Sequence, residues 1–402
     1  MSTFRALKNR SFALLWTGQT LSRLGDFVYE IALSWWILQK TGSAEAMGLM
    51  WVFVATPSVL LLLLGGAVVD RFPRVRLMLI SDVGRAVIVA IVAALAYFDQ
   101  LQLWHIYATS FFFGMVDAFF NPAYIAIIPQ IVAEDDLPSA NALTSISSNL
   151  GRVVGPSLGA GIIAWVGTSA AFVINSASFL VSACFLIPLI FANSPSPQRE
   201  ASHILADIRE GFRVVTSTPW LWISIFIFSL TNVTLIGPYI VAMPFLVSDF
   251  MKADVTRLGL ILSIFPIGYV IGGTWLGHYK KLPRRGILMN TTLALAAIML
   301  GIYGLHLPLW ILIVAALING IALQAGSLAW TTTLQEKIPN EQLGRISSID
   351  QMGSIGLMPV GLYIAGVLTE TIGPSPVFLL GGGLTALVAL LAITHPAIRN
   401  LD

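Results

Sequence analysis

Residues 168–192 read TSAAFVINSASFLVSACFLIPLIFA, a run without a single charged side chain. Coiled as an α-helix at 1.5 Å per residue, such a run is roughly 37 Å long, more than the ~30 Å hydrocarbon core of a bilayer. Within hydrocarbon each backbone N–H and C=O must be paired inside its own segment, so a run of this length reads as a membrane-spanning helix. Working outward, eleven further stretches of the same kind fill almost the whole chain: 12–38, 44–68, 77–98, 103–128, 138–164, 219–248, 254–278, 286–306, 308–334, 341–368 and 374–396. Only 10% of the 402 residues are charged, 56% are hydrophobic, and the mean hydropathy is +0.83. A water-soluble domain carries about 25% charged residues. The sequence predicts an all-α membrane protein with twelve transmembrane helices.

Basic residues set the expected orientation. With the N-terminus in the cytoplasm, sixteen of the 22 Lys and Arg fall in inner segments, and only Lys40, Lys252 and Arg257 in outer loops. Arg23, Arg85 and Arg152 fall inside spans. Both termini are therefore expected in the cytoplasm. The first span is not read as a cleaved signal, because Arg23, Asp26 and Glu30 interrupt it and no small-x-small site follows.

Composition also narrows function. The lone cysteine, Cys184, sits in an apolar span, which excludes a disulfide and a cysteine metal site. A net charge of +2 argues against a nucleic-acid partner. His105, His203, His278, His306 and His395 show no metal-ligand spacing, so no metal and no cofactor is expected. Gly155-Pro156-Ser157-Leu158-Gly159 matches the nucleophile elbow of serine hydrolases, yet lies mid-span rather than in a strand–turn–helix setting, so an enzyme is not expected. No glycine-rich phosphate loop with a Lys is present, which leaves an ion gradient, worth about 2.3 kcal/mol per charge per 100 mV, as the energy source.

The longest polar interruption, 193–218, includes Ser194-Pro195-Ser196-Pro197 and a short amphipathic piece from Ile204 to Phe212. It separates six spans (1–192) from six (219–402). A shift of 206–207 residues lays Trp16 on Trp222, Gly66 on Gly273, Leu137 on Leu343, Gly155 on Gly361, Gly167 on Gly373 and Phe172 on Phe378. The expected architecture is two pseudo-symmetric six-helix bundles joined by a cytoplasmic linker, the plan of the major facilitator superfamily.

Residue-level resemblance points the same way. Gly65-Gly66-Ala67-Val68-Val69-Asp70-Arg71-Phe72-Pro73-Arg74-Val75-Arg76 resembles the signature loop of that superfamily. Gly151-Arg152-Val153-Val154-Gly155-Pro156-Ser157-Leu158-Gly159 is similar to the motif associated with its antiporters, departing at Ala160, where a second Gly is usual. Trp16-Thr17-Gly18-Gln19, Leu24-Gly25-Asp26, Asn121-Pro122-Ala123 and Leu343-Gly344-Arg345-Ile346-Ser347 resemble the macrolide-efflux and siderophore-exporter branch.

The residues most informative about chemistry are charges that lipid should exclude, each costing roughly 2.5–3.5 kcal/mol at mid-membrane. Gln19, Arg23, Asp26, Glu30 and Ser34 fall on one face of the first span. Ser110, Gly114, Asp117, Asn121 and Tyr124 do so on the fourth, and Asn141, Ser145, Ser148, Arg152, Gly155 and Gly159 on the fifth. These stripes are expected to share one polar cavity. Two readings stay open: Arg23 and Arg152 neutralise Asp26 and Asp117 as structural pairs, or a carboxyl exchanges a proton during a transport cycle. Burial favours a neutral carboxyl and a nearby Arg an ionised one, so a motion that separates such a pair turns a proton acceptor into a donor. Asp26, then Glu30 and Asp117, are the expected proton carriers, with Arg152 as switching partner. At the repeat offset Arg23 becomes Ser229, Asp26 becomes Asn232 and Arg152 becomes Met358. Coupling is therefore expected in the first half, with Asn232 shaping the cavity from the second.

By resemblance, Asp70 contacts the N-terminal end of a helix of the other half, with Arg71, Arg74 and Arg76 adding contacts that break on gating. The alternative is that these arginines only follow the positive-inside rule. Asp82 and Arg85 are expected to pair and join this network, and Asp350 is the remaining intramembrane acid of the second half. Gly151, Gly155, Pro156 and Gly159 provide either a bend or a packing seam. Phe27, Phe53, Phe113, Phe120, Tyr124, Tyr239, Phe265 and Trp330 are candidate cavity walls. The resemblance implies a monomeric, proton-coupled exporter of amphipathic small molecules in a bacterial inner membrane. Export of a siderophore or endogenous metabolite, uptake by symport, and a non-transporting sensor remain alternatives.

Overall fold

The computed structural model describes residues 4–192, 204–276, 284–305 and 307–402. Gly66 and the side chains of Asp70, Arg71 and Arg345 lie outside the described residues, as does Ser194-Pro195-Ser196-Pro197. The described chain is almost wholly helical. Its elements are α1 Arg10–Thr41, α2 Ala44–Arg71, α3 Arg74–Tyr97, α4 Leu103–Ile131, α5 Leu137–Val166, α6 Thr168–Ala192, α7 Ile204–Ser217 and α8 Pro219–Thr231. They continue with α9 Gly237–Phe245, α10 Val255–Leu276, α11 Arg285–Gly301, α12 Leu309–Lys337, α13 Asn340–Ile355, α14 Met358–Ile372, α15 Pro374–Thr394 and α16 Pro396–Arg399.

Local sequence sets the ends and breaks of these helices. Asn9 caps α1 by accepting from the Phe12 N–H at 3.2 Å, and Gly42, at φ +62°, ends it in the left-handed conformation that glycine takes without strain. The span predicted at 219–248 contains one π-turn, Asn232–Ile236, and runs at its end into a second, Leu246–Phe250. Pro238 and Pro244 lie beside them, and a proline without its N–H cannot close the usual ladder. The eleventh predicted span is interrupted at Gly356 and Leu357, just before Pro359, for the same reason.

Ten helical segments among the described residues are long and apolar enough to cross a membrane, against twelve expected. The difference lies in α1 and α5, which have 32 and 30 residues and fall short on composition rather than length. They are the helices that carry Arg23, Asp26, Glu30 and Arg152.

The chain forms two compact units. The first comprises Met1–Gly42, Leu49–Glu200 and Asp254–Ser263; the second Ser43–Gly48, Ala201–Ala253 and Ile264–Asp402. In the first, α1 packs on α5 and α6, and α3 on α4 and α6. In lipid no hydrophobic drive holds helices together, so close approach at small residues replaces it. Gly25 fits against Asn175 and Ser178 of α6, and Gly114 against the backbone of Val54 in α2. In the second unit α11 packs on α12 and α15, α9 on α14, and Gly320 of α12 abuts the Phe265 carbonyl of α10.

The two units repeat one seam. Gly155 lies against Phe27, and Gly361 against Val233; both residues of the second pair are 206 positions after those of the first. The turns that follow, Gly167 and Gly373, take φ +89° and +84° and are again 206 apart.

Candidate functional site

The polar stripes of the first unit meet at a cavity of about 370 Å³. From α1 come Gln19, Ser22, Arg23, Asp26 and Glu30, and from α4 Asp117 and Asn121. Ser148 and Arg152 come from α5 and Arg85 from α3, while Phe27 and Phe120 supply aromatic wall. A second, smaller cavity of about 140 Å³ is lined by Tyr29, Leu33, Met50, Trp51, Val54, Ser110 and Phe113. Asp26, Glu30 and Asp117 border both. Three carboxyls thus form the common wall of a polar chamber and an aromatic one.

One guanidinium organises this wall. Arg85 is 3% exposed and donates to Asp82 Oδ1 at 2.6 Å and to Asp117 Oδ1 at 3.2 Å. The other oxygen of Asp82 accepts from Ser182 Oγ at 2.7 Å and Gln19 Nε2 at 3.4 Å. The ring centres of Phe120 and Phe179 lie 4.2 and 4.5 Å from the Arg85 charge centre. A buried cation is tolerable only with such partners, here two carboxylates and two aromatic faces.

This network corrects one expectation. The cation on Asp117 is Arg85, reaching from α3, and not Arg23 or Arg152. Arg23 instead lies 5.0 Å from the ring centre of Tyr124, whose hydroxyl meets Thr144 Oγ1 at 3.3 Å. Arg152 borders the larger cavity and forms no ion pair among the described residues. Asp82 and Arg85 do pair, as expected, and Arg85 also joins the pair to Asp117 at the cavity; the expected junction with Asp70 and Arg71 lies outside the described residues.

Asn232, expected at the cavity, lies in the second unit, where its amide is hydrogen-bonded. It donates to the Phe228 carbonyl at 3.1 Å and the Ser354 carbonyl at 2.8 Å, tying the π-turn to α13. Asp350, also in α13, accepts from Trp330 Nε1 at 3.0 Å. Of the signature-loop arginines, Arg74 donates to the Ala126 carbonyl at 2.8 Å, anchoring α3 on α4, and Arg76 is exposed. In the antiporter-like stretch, Gly151 and Gly155 abut the Phe27 ring and Gly159 the backbone of Val28. Gly259 of α10 sits on the Pro156 carbonyl, and Ser157 bonds Ser263 at 2.8 Å. The stretch is a packing seam for α1 and α10.

Sequence reasoning missed Tyr29 and Trp51. Tyr29 lies three residues after Asp26 and next to Glu30, so the helix-1 stripe contained a signal for it. Trp51 sits in a span with no polar stripe and gave none. Of the candidate aromatic walls, Phe53 stacks on Tyr107 at 5.2 Å, and in the second unit Tyr239 packs on Phe265 and Trp330 on Trp220 and Phe228.

Comparison with known proteins decides the family. A profile described as transmembrane secretion effector, one of the major facilitator (MFS) families, matches residues 1–402. The chain belongs to that family. Members are membrane transporters, not enzymes. Macrolide efflux protein A of Streptococcus pyogenes is 25% identical over 395 residues, 97% of each chain. The multidrug efflux pump Tap of Mycolicibacterium fortuitum is 27% identical over 392 residues, 94% of each. The enterobactin exporter EntS of Escherichia coli O6:K15:H31 is 26% identical over 341 residues, covering 84% of this chain and 80% of EntS. Among solved structures, a bacterial homologue of the iron transporter ferroportin superposes with a TM-score of 0.76 at 16% identity, covering 96% of this chain and 99% of that one. The nucleoside transporter NupG gives 0.73 at 13%, covering 96% and 98%. These two likenesses concern the fold alone.

Proposed function

We propose that this secretion effector is a proton-coupled exporter of amphipathic, cationic or weakly basic small molecules, working as an antiporter by alternating access. The observation that carries the reading is the carboxyl wall of Asp26, Glu30 and Asp117 between the polar and the aromatic chamber. A proton on such a wall removes the charge that would hold a cationic substrate, so proton and substrate compete for one site. Exchange of one for the other on opposite sides of the membrane is then antiport. Arg85 is the switching cation: fixed on Asp82, it holds Asp117 by the longer of its two bonds, the one that a motion of α4 releases first. Relatives whose names describe macrolide, multidrug and enterobactin efflux support the export direction.

In this reading twelve spans form two six-helix bundles, 1–192 and 219–402, joined by a cytoplasmic linker at 193–218. The protein is a monomer of the bacterial inner membrane with both termini inside. Gly66, Asp70, Arg71, Arg74 and Arg76 form the gate on the first half, and Asp350 lies near its counterpart on the second.

Everted membrane vesicles energised by respiration test the proposal, with a pH-sensitive dye and a panel of macrolides, lipophilic cations and siderophores. Proton release on addition of one class, lost in Asp26→Asn, is the expected result. No response to any compound would remove antiport.

A further inference from the structure

Four polar atoms on residues lining the smaller chamber are buried and have no hydrogen-bond partner among the described residues: Asp26 Oδ1, Tyr29 Oη, Trp51 Nε1 and Ser110 Oγ. Buried polar groups are nearly always paired, and one left unpaired costs about 1–3 kcal/mol. Four around one small cavity describe an incomplete site. We propose that this chamber seats the head of the substrate, and that the head is a hydroxylated ammonium group, an amino alcohol or amino sugar. The inference rests on the exporter reading above and names the chemistry of its ligand.

The donor and acceptor inventory sets the class. A carboxylate oxygen accepts only, an indole N–H donates only, and the hydroxyls of Tyr29 and Ser110 do either. An ammonium supplies donors to Asp26 but nothing for Trp51, which needs an acceptor. A hydroxyl two or three bonds from the nitrogen supplies that acceptor and returns its own proton to Ser110 or Tyr29. Charge fixes the sign: Asp26, Glu30 and Asp117 all border the chamber, so an anionic head is repelled. The Tyr29 and Phe113 rings, with centroids 5.8 Å apart, both line the chamber, and aromatic rings attract an organic cation. A volume of about 140 Å³ suits a head of this size, equal to roughly four or five waters.

Two isosteric probes separate the possibilities: 2-[benzyl(methyl)amino]ethanol and N-benzyl-N-methylpropan-1-amine, both carrying one N–H as ammonium ions at pH 7 and differing by one hydroxyl for one methyl. Their affinities are measured by titration calorimetry on the full-length protein in lipid nanodiscs, with protein-free nanodiscs subtracting partition. The expected result is a three- to tenfold preference of wild type for the hydroxylated cation, about the net worth of one hydrogen bond. Trp51→Phe abolishes that preference, read as the ratio of the two affinities within each protein, while Ser110→Ala reduces it. Equal binding of both probes by wild type overturns the hydroxyl inference and leaves cation export standing, as does a preference undiminished in both variants. Binding of neither probe overturns both.

Discussion

Arg85 bonds Asp117 across the α3–α4 interface at 3.2 Å while holding Asp82, three residues behind it on its own helix, at 2.6 Å. The Asp82 end is fully buried, whereas the Asp117 side chain is 35% exposed to the cavity. The two bonds therefore differ in kind, one structural and one open to the site. Arg85→Gln leaves Asp82 buried with only Ser182 and Gln19, and removing one partner of a buried pair costs about 3–5 kcal/mol. A thermal unfolding midpoint several degrees lower is expected in detergent. Asp82→Asn combined with Arg85→Gln should recover much of that loss, and Asp117→Asn should cost far less. A double variant as unstable as the single would contradict this division.

A steric prediction comes from α5, where two glycines six residues apart face different surroundings. A Cβ at Gly155 would collide with Phe27, while one at Gly161 meets nothing within 4 Å. Gly155→Ala must force α1 and α5 apart and should cost about 1–3 kcal/mol. Gly161→Ala should be neutral or slightly stabilising, since alanine holds a helix better than glycine by about 1 kcal/mol. Monodispersity on size exclusion and the unfolding midpoint of the two proteins give the comparison.

The exposed pair between Lys40 and Asp99 makes a case about pH. The hydrogen bond from Lys40, at 2.7 Å, and its charge hold the Asp99 carboxyl below its ordinary range. A depressed carboxyl contributes to stability above its unfolded pKa, and the contribution is lost as pH falls through the folded value, below about pH 4. Lys40→Met should therefore leave the unfolding midpoint flat between about pH 5 and 8 and flatten its fall in acid only slightly. Lys40 is the side to replace, because Asp99 takes φ +54°, where Ala would add backbone strain. A large loss at neutral pH would mean that the pair is not the solvated contact its exposure indicates.

Much of the fold was legible because lipid leaves the chain few choices. Apolar length gave ten segments long and apolar enough to cross a membrane among the described residues, and the 206-residue offset located Gly155 and Gly361, whose contacts with Phe27 and Val233 repeat. The alternating spacing of polar residues also put Asp26, Glu30 and Asp117 on faces that border shared cavities. Partners across helices were not legible. Arg85 looked like half of a local pair because Asp82 is three residues away, while Asp117 and Phe179 reach it from α4 and α6. Trp51 carries no periodic signal at all, since its importance lies in an N–H without a partner among the described residues.

Asn232 tests whether position in a repeat carries a role. It stands 206 residues after Asp26, which suggested a cavity residue, yet its amide bonds the Ser354 carbonyl at 2.8 Å within the second unit. Hydrogen bonds between membrane helices average about 0.6 kcal/mol and reach about 1.7. Asn232→Ala should lower stability by about that much. It should leave substrate-driven proton movement in everted vesicles near wild type, whereas Asp26→Asn abolishes it. Restoring a carboxyl with Asn232→Asp should fare worse than Ala, because a carboxylate cannot donate to Ser354 and repels its carbonyl. If Asn232→Ala instead stops proton movement in a protein that folds normally, the second half carries part of the coupling. The asymmetry of charge between the halves would then not be an asymmetry of function.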